Sequence, residues 1–366
     1  MKRIYTEKDC LWQQLADSQR PIFLYGTGNG ADKILDICLK NEIPIEGVFA
    51  SDGFVRSRTF RDMPVQSLGD IEAKYGADFT VLLAFGTTLS SVWEGIQKIG
   101  GRHTLRIPEV PLFGGALFDF VYYKEHLTQL EEAYQLMSDM YSRELFEDMI
   151  SFRLTGNPVF LGKTESVQDS LAFLLNHKKI HTILDCGAYT GDSAKIFVDI
   201  LHPQKIFAVE PDPKTYQKLC RYADAENRCT IVPVHGAVGK RDGMTDFITA
   251  GSRASGGGGN VGGRAKRRVK AQEISCRTID TLLKEKDGID LIKLDVEGEE
   301  AHVLAGATNT IGMYRPALAV SLYHRTEDLF ALPIALQKLY SSGAKFYLRR
   351  PPCVPAWDLT LYVIPE

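Results

Sequence analysis

Residues 182–213, TILDCGAYTGDSAKIFVDILHPQKIFAVEPDP, limit the possible fold more than any other stretch of the chain. A short apolar run, Ile183 and Leu184, ends in Asp185. Gly187 and Gly191 follow, and an amphipathic stretch opens at Asp192. A second apolar run, Lys205 to Val209, ends in Glu210. This is a strand, a glycine turn, a helix and a second strand, which is half of a doubly wound nucleotide-binding sheet. Ligands of such sheets lie in the crevice at the carboxyl ends of the strands, where Asp185 and Glu210 fall.

The acids narrow the ligand. Glu210 stands 23 residues after Gly187, close to the ~20 expected of a carboxylate that holds a ribose hydroxyl pair. A dinucleotide fold leaves its first turn bare, so that backbone N–H groups can meet a pyrophosphate. Here Asp185 precedes the turn and Asp192 follows it, and two carboxylates would repel that pyrophosphate. They suit a ligand bearing a sulfonium and an ammonium, S-adenosylmethionine. Helix capping is the plainer explanation for Asp192.

At 366 residues the chain predicts two domains. Residues 1–107 alternate strand and helix as a small parallel α/β domain of about four strands. Its first turn, Gly26–Gly28–Gly30, is an incomplete dinucleotide fingerprint, with Asp52 near the end of the second strand. Either it holds a nucleotide or sugar nucleotide, or its glycines only permit a tight turn. The segment resembles the amino-terminal domain of bacterial sugar-modifying enzymes, which favours the sugar reading. In residues 108–165, Phe120, Tyr123, Leu127, Leu130, Tyr134 and Met137 recur at three- and four-residue steps, and a second helix is expected after Ser142. A packed helical connector is the expectation there, with a homodimer interface as the alternative.

Residues 166–366 carry the chemistry. A helix over 213–224 leads to a third strand, Thr230 to Val234. The small turn after it, Gly236, Ala237 and Val238, is suited to a flat adenine ring. Residues 251–270 hold six glycines in eight positions and a basic end from Arg264 to Lys270, which reads as a lid or acceptor-binding loop. Ile289 to Leu294 is a buried strand ending in Asp295. Glu297 and Gly298 make the next turn, while Glu299 and Glu300 fit the helix dipole. ALAVSLYH is a fifth strand ending in His324, followed by a helix over 326–341 and strands near 344–349 and 358–364. Seven strands with a closing hairpin predict a methyltransferase sheet.

The segments LDCGAYTGDS, AVEPDP, HGAVG, DLIKLDVEGEEAHVLAGA and SLYH-x-x-x-DLFALP, in that order, resemble the FkbM family of S-adenosylmethionine-dependent methyltransferases over roughly residues 150–366. The resemblance implies a class I methyltransferase fold and O-methylation of a hydroxyl on a sugar, glycan or polyketide. The expected cofactor residues are Asp185, Gly187, Ala188, Tyr189, Gly191, Asp192, Glu210, Pro211, Asp212, Gly236, Ala237 and Asp295. His324 is the expected base and Asp295 the group that orients it or the acceptor. In the alternative version Asp295 and Glu297 hold Mg²⁺ and lower the hydroxyl pKa. Two other readings are a two-domain nucleotide sensor or scaffold without turnover, and an oxidoreductase using the incomplete amino-terminal fingerprint.

A net charge of −3 gives no general attraction to nucleic acid or anionic lipid. Cys10, Cys38, Cys186, Cys220, Cys229, Cys276 and Cys353 are scattered, odd in number and without a C-x-x-C pair, as in reduced thiols. The first 19 residues lack an apolar signal region, and no apolar run approaches the ~18 residues of a membrane span. The expectation is a cytoplasmic enzyme acting on a small-molecule or glycan acceptor.

Overall fold

The structure is a computed structural model. It describes residues 1–366 except 52, 54–58, 115, 250–255, 258–269, 284–287 and 342. The expected ribose acid Asp52 and most of the 251–270 loop therefore lie outside the described residues.

The first sheet contains β1 (Ile22–Tyr25), β2 (Gly47–Phe49), β3 (Thr59–Phe60), β4 (Met63–Gln66), β5 (Thr80–Leu83) and β6 (Thr104–Arg106), in the order β3-β4-β2-β1-β5-β6. All its pairings are parallel except β3 with β4. The expected four strands become six because the two strands of the β3–β4 hairpin, two and four residues long, are too short to show a period. β1 and β5 are buried throughout, as strands covered on both faces must be.

The carboxy-terminal half contains β7 (Thr182–Cys186), β8 (Lys205–Glu210), β9 (Thr230–His235), β10 (Ala237–Val238), β11 (Gly243–Thr249), β12 (Gly256–Gly257), β13 (Lys270–Arg277), β14 (Leu291–Leu294), β15 (Ala317–Ser321), β16 (Ala344–Arg349) and β17 (Thr360–Pro365). Seven of them form one sheet, β16-β17-β15-β14-β7-β8-β9, antiparallel only where β17 meets β15 and β16. This is the expected seven-stranded arrangement with its closing hairpin. Strands β10 to β13 form a separate small sheet that the sequence reading did not anticipate.

Between the sheets, the expected long helix is two, Phe120–Glu125 and Leu127–Leu136, divided at His126, whose backbone leaves the helical region. A third, Met140–Thr155, begins where Asp139 accepts the N–H of Ser142. It buries Phe146 and Phe152 completely. Arg153 fastens this helix to the carboxy-terminal half, pairing with Glu109 at 3.0 Å and donating to the carbonyls of Thr326 and Leu322. One hydrophobic core runs from Phe23 and Phe49 through Leu145 and Phe146 to Leu294 and Leu318, so the connector joins the domains through packing.

Candidate active site

The first turn after β7 needs glycine at Gly187. Its φ is +80°, and a Cβ there would lie 1.9 Å from the carbonyl oxygen of Asp295. The turn can therefore press against the end of β14 only without a side chain. The N–H groups of Gly187 and Ala188 both donate to Val209 O at 3.0 Å, which ties the turn to β8 as well. Gly191, at φ +92°, starts the next helix against the ring of Tyr222. Asp192 is the first residue of that helix and is exposed. The N-cap is Gly191, so capping does not account for the acid.

Glu210 is 6% exposed at the end of β8. Its two oxygens accept the N–H groups of Tyr189 and Asp212, each at 2.9 Å, and burial pushes its carboxyl up to about 7. Each oxygen keeps a lone pair, so the carboxylate can still receive a hydroxyl. Asp212 has a different task from the one expected of it. Its Oδ1 accepts from the backbone of Lys214 and Thr215 and caps the helix Pro213–Ala225.

Asp185 requires a correction. It is fully buried and does not line the cleft; Ser193 donates to its Oδ2, and Lys293 Nζ stands 3.4 Å from Oδ1. Burial raises its carboxyl above the usual range even with that lysine beside it. Lys293 also donates to Gly187 O at 2.9 Å and lies 3.5 Å from Asp295, so Asp185 acts on the site through a cation that itself lines the cleft. A lysine inside an apolar strand was the signal that could have exposed this pair. Ala188 and Gly191 also lie behind the surface, whereas Gly187, Tyr189, Asp192, Glu210, Pro211, Asp212, Gly236, Ala237 and Asp295 line the cleft.

His324 sits three residues beyond the end of β15 and is 1% exposed, beneath the cleft floor. Its Nδ1 meets Glu300 Oε1 at 2.8 Å, and its Nε2 lies 3.5 Å from Asp295 and 3.7 Å from Glu297. Burial alone would lower its pKa, but the three carboxylates outweigh that and raise it to about 9. Those carboxylates favour its imidazolium form, which cannot take a proton. The role of base expected for it does not follow from this geometry. Glu300, assigned above to the helix dipole, is fully buried and holds this histidine.

Asp295 accepts from Ser321 Oγ at 2.9 Å and Tyr323 Oη at 3.0 Å. Burial works against its ionisation, yet Lys293, His324 and the two hydroxyls hold it below the usual range. Glu297, at φ +56°, is pushed up to about 7, chiefly by burial, and faces the cleft. The Mg²⁺ alternative placed a cation between these two carboxylates, where His324 Nε2 already stands 3.5 Å from one and 3.7 Å from the other. Among the described residues, Asp295, Glu300 and His324 could bring three donor atoms within 4.8 Å. There, Glu300 Oε1 is engaged by His324 and by the N–H of Val296.

The cleft measures about 1600 Å³ and is lined by both domains, including Gly28, Lys33 and the 84–88 turn of the first. The domains meet at its rim. Thr87 and Val354 exchange backbone hydrogen bonds of 2.7 and 3.0 Å, and Trp357 packs where a Cβ on Gly86 would fall 2.3 Å from its ring.

The methyltransferase FkbM domain family matches residues 185–342, the segment that holds this acid cluster. The chain carries an FkbM methyltransferase domain. A crystal structure of methyltransferase FkbM from Methylobacillus flagellatus KT is similar over 94% of this chain and 89% of that one, at 21% identity and a TM-score of 0.67. That coverage takes in the amino-terminal sheet as well as the FkbM domain. Aeropyrum pernix fibrillarin with bound S-adenosyl-L-methionine is similar at 16% identity over 51% of this chain and 67% of that one, with a TM-score of 0.32. An rRNA methylase from Streptococcus thermophilus is similar at 10% identity over 57% and 96%, with a TM-score of 0.35. Both overlaps are too loose to bear on function. No curated protein matches the chain. No helix among the described residues is long and apolar enough to cross a membrane, and no described cysteine is in a disulfide.

Proposed function

We propose that the protein is an S-adenosylmethionine-dependent O-methyltransferase acting on a hydroxyl of a sugar, glycan or related small molecule. The observation that carries the reading is the arrangement of Glu210, Asp192 and Asp295 around the Gly187 turn of an FkbM domain. These acids suit a ligand with ribose hydroxyls at one end and positive charge at the other. Glu210 would accept the ribose hydroxyls, Gly236 and Ala237 would leave room for the adenine, and Asp192 and Asp295 would face the charged end. S-adenosylmethionine supplies a methyl group on a positive sulfur.

Alignment of the acceptor oxygen with that methyl is the main demand on the protein and can be worth roughly 7–11 kcal/mol. Tyr323 and Ser321 fix Asp295, and His324, anchored by Glu300, holds the charge of both cleft carboxylates in place. Glu297 is the group suited to take the hydroxyl proton: it faces the cleft, and its pKa near 7 matches what a general base needs at neutral pH. S-adenosylhomocysteine should bind the full chain with micromolar Kd, and Glu210→Ala should weaken it at least tenfold. Equal affinity in the two proteins would remove Glu210 from the cofactor site.

A further inference from the structure

Each sheet has one point where its strand order reverses, and a crevice opens there. In the first sheet it lies between β1 and β5, between the Gly26–Gly30 and Ala84–Thr88 turns. In the second it lies between β7 and β14, between the Gly187 turn and Asp295–Glu297. Ligands of open α/β sheets bind at such points. Here the two crevices open into one cleft. Its volume of about 1600 Å³ exceeds the roughly 300–1,000 Å³ of a single small-ligand pocket. The Thr87–Val354 bridge and the seating of Trp357 on Gly86 hold the crevices face to face.

Of the charged side chains lining the cleft that make no ion pair or hydrogen bond among the described residues, more are cationic than anionic. The side chains of Lys214, Lys218, Lys240 and Arg241, all on the FkbM-domain wall, are unpaired in this way, against Asp192 and Asp246 among the acids. Three of the other acids are held by neutral donors: Asp212 caps a helix, Glu210 joins two turns, and Asp295 is bound by Ser321 and Tyr323. In the amino-terminal wall, Lys33 spends two of its three N–H groups on the carbonyls of Pro111 and Leu112 and keeps one. The three glycines there differ in purpose. A Cβ on Gly26 or Gly30 would strike Phe85 or the Ala84 carbonyl, whereas one on Gly28 would meet nothing within 4 Å. Packing explains two of the glycines, and the third borders open space inside the crevice.

We infer that the amino-terminal crevice is the anchoring half of the acceptor site and holds a phosphate-bearing part of the methyl acceptor, such as a phosphorylated or nucleotide-linked sugar. This rests on the methyltransferase reading above and assigns that cleft its second ligand. The amino-terminal domain then selects the acceptor, and the FkbM domain carries out the transfer.

Gly28→Asp tests this directly. Gly28 has φ −95° and ψ −168°, an extended conformation open to any residue, so the variant should fold. Its carboxylate would stand in the crevice and repel phosphate. Full-length protein, saturated with S-adenosylhomocysteine to block the cofactor site, would be titrated calorimetrically with pyrophosphate, UDP and glucose 1-phosphate. We expect at least one probe to bind, and Gly28→Asp to weaken it tenfold or more while S-adenosylhomocysteine affinity stays unchanged. Preference for UDP over glucose 1-phosphate would identify a nucleotide-linked acceptor, and the reverse a sugar phosphate. Absence of binding by all three, or equal binding to the variant, overturns the inference and leaves the methyltransferase reading standing. Failure of S-adenosylhomocysteine itself to bind strikes that reading instead, and the inference with it.

Discussion

Lys293→Met is the most direct probe of how the site is held together. Asp185 is fully buried, and its Oδ1 has no hydrogen-bond donor, only the ammonium of Lys293 at 3.4 Å. At that distance an effective dielectric of ~20 gives an attraction of roughly 5 kcal/mol. Removing the lysine also removes its own desolvation cost, and breaking a buried pair typically destabilises by about 3–5 kcal/mol. That range is expected at pH 8. The carboxyl of Asp185 is already raised by burial, and loss of the cation raises it further. A group with a raised folded pKa favours the folded state when protonated, so the damage should shrink as pH falls toward 5.5. Urea unfolding followed by circular dichroism at both pH values measures this. Asp185→Asn combined with Lys293→Met removes the orphaned charge and should recover at least half the loss, since the two residues touch. A single-variant loss below about 1 kcal/mol at pH 8, or no recovery in the double variant, would refute the account.

Two further predictions concern the reaction. Gly187→Ala forces a Cβ to within 1.9 Å of Asp295 O at φ +80°, adding about 1–2 kcal/mol of backbone strain and displacing the β14 turn. A shift near 1 Å can cost ~10²-fold in turnover, so a kcat within threefold of wild type would contradict the tight approach. Glu297→Gln should lower kcat by ~10²–10⁴-fold. In the wild type, the carboxyl is protonated below about 7, so kcat should rise with pH through that value and then level off. A wild-type profile flat from pH 5.5 to 8.5, or a variant that keeps the rise, would exclude Glu297 as the base.

The crevice at the Gly187 turn could be read from local pattern because its parts lie close in sequence. Strand, glycine turn, helix and acid fall within residues 182–213, and each follows from periodicity, from conformations open to glycine, or from the spacing between strand ends. The seven strands were legible for the same reason: each is an apolar run bounded by turns. What remained hidden depends on pairings across long separations. Asp185 and Glu210 look alike in sequence. Only the neighbouring β14, more than a hundred residues on, turns Asp185 into the counter-ion of Lys293 and leaves Glu210 at the cleft. The histidine at 324 looked like a free base until the fold buried it on Glu300, 24 residues earlier. The meeting of Gly86 with Trp357, and so the facing of the two crevices, has no local signature in either segment.

The sequence by itself therefore determined the main strands of both sheets and where each crevice opens, because periodicity and turn chemistry act over a few residues; the β3–β4 hairpin and the β10–β13 sheet escaped it. Tertiary structure alone decided which acids keep their charge in the cleft. That outcome depends on burial and on the nearest opposite charge, both of which exist only once distant strands have come together.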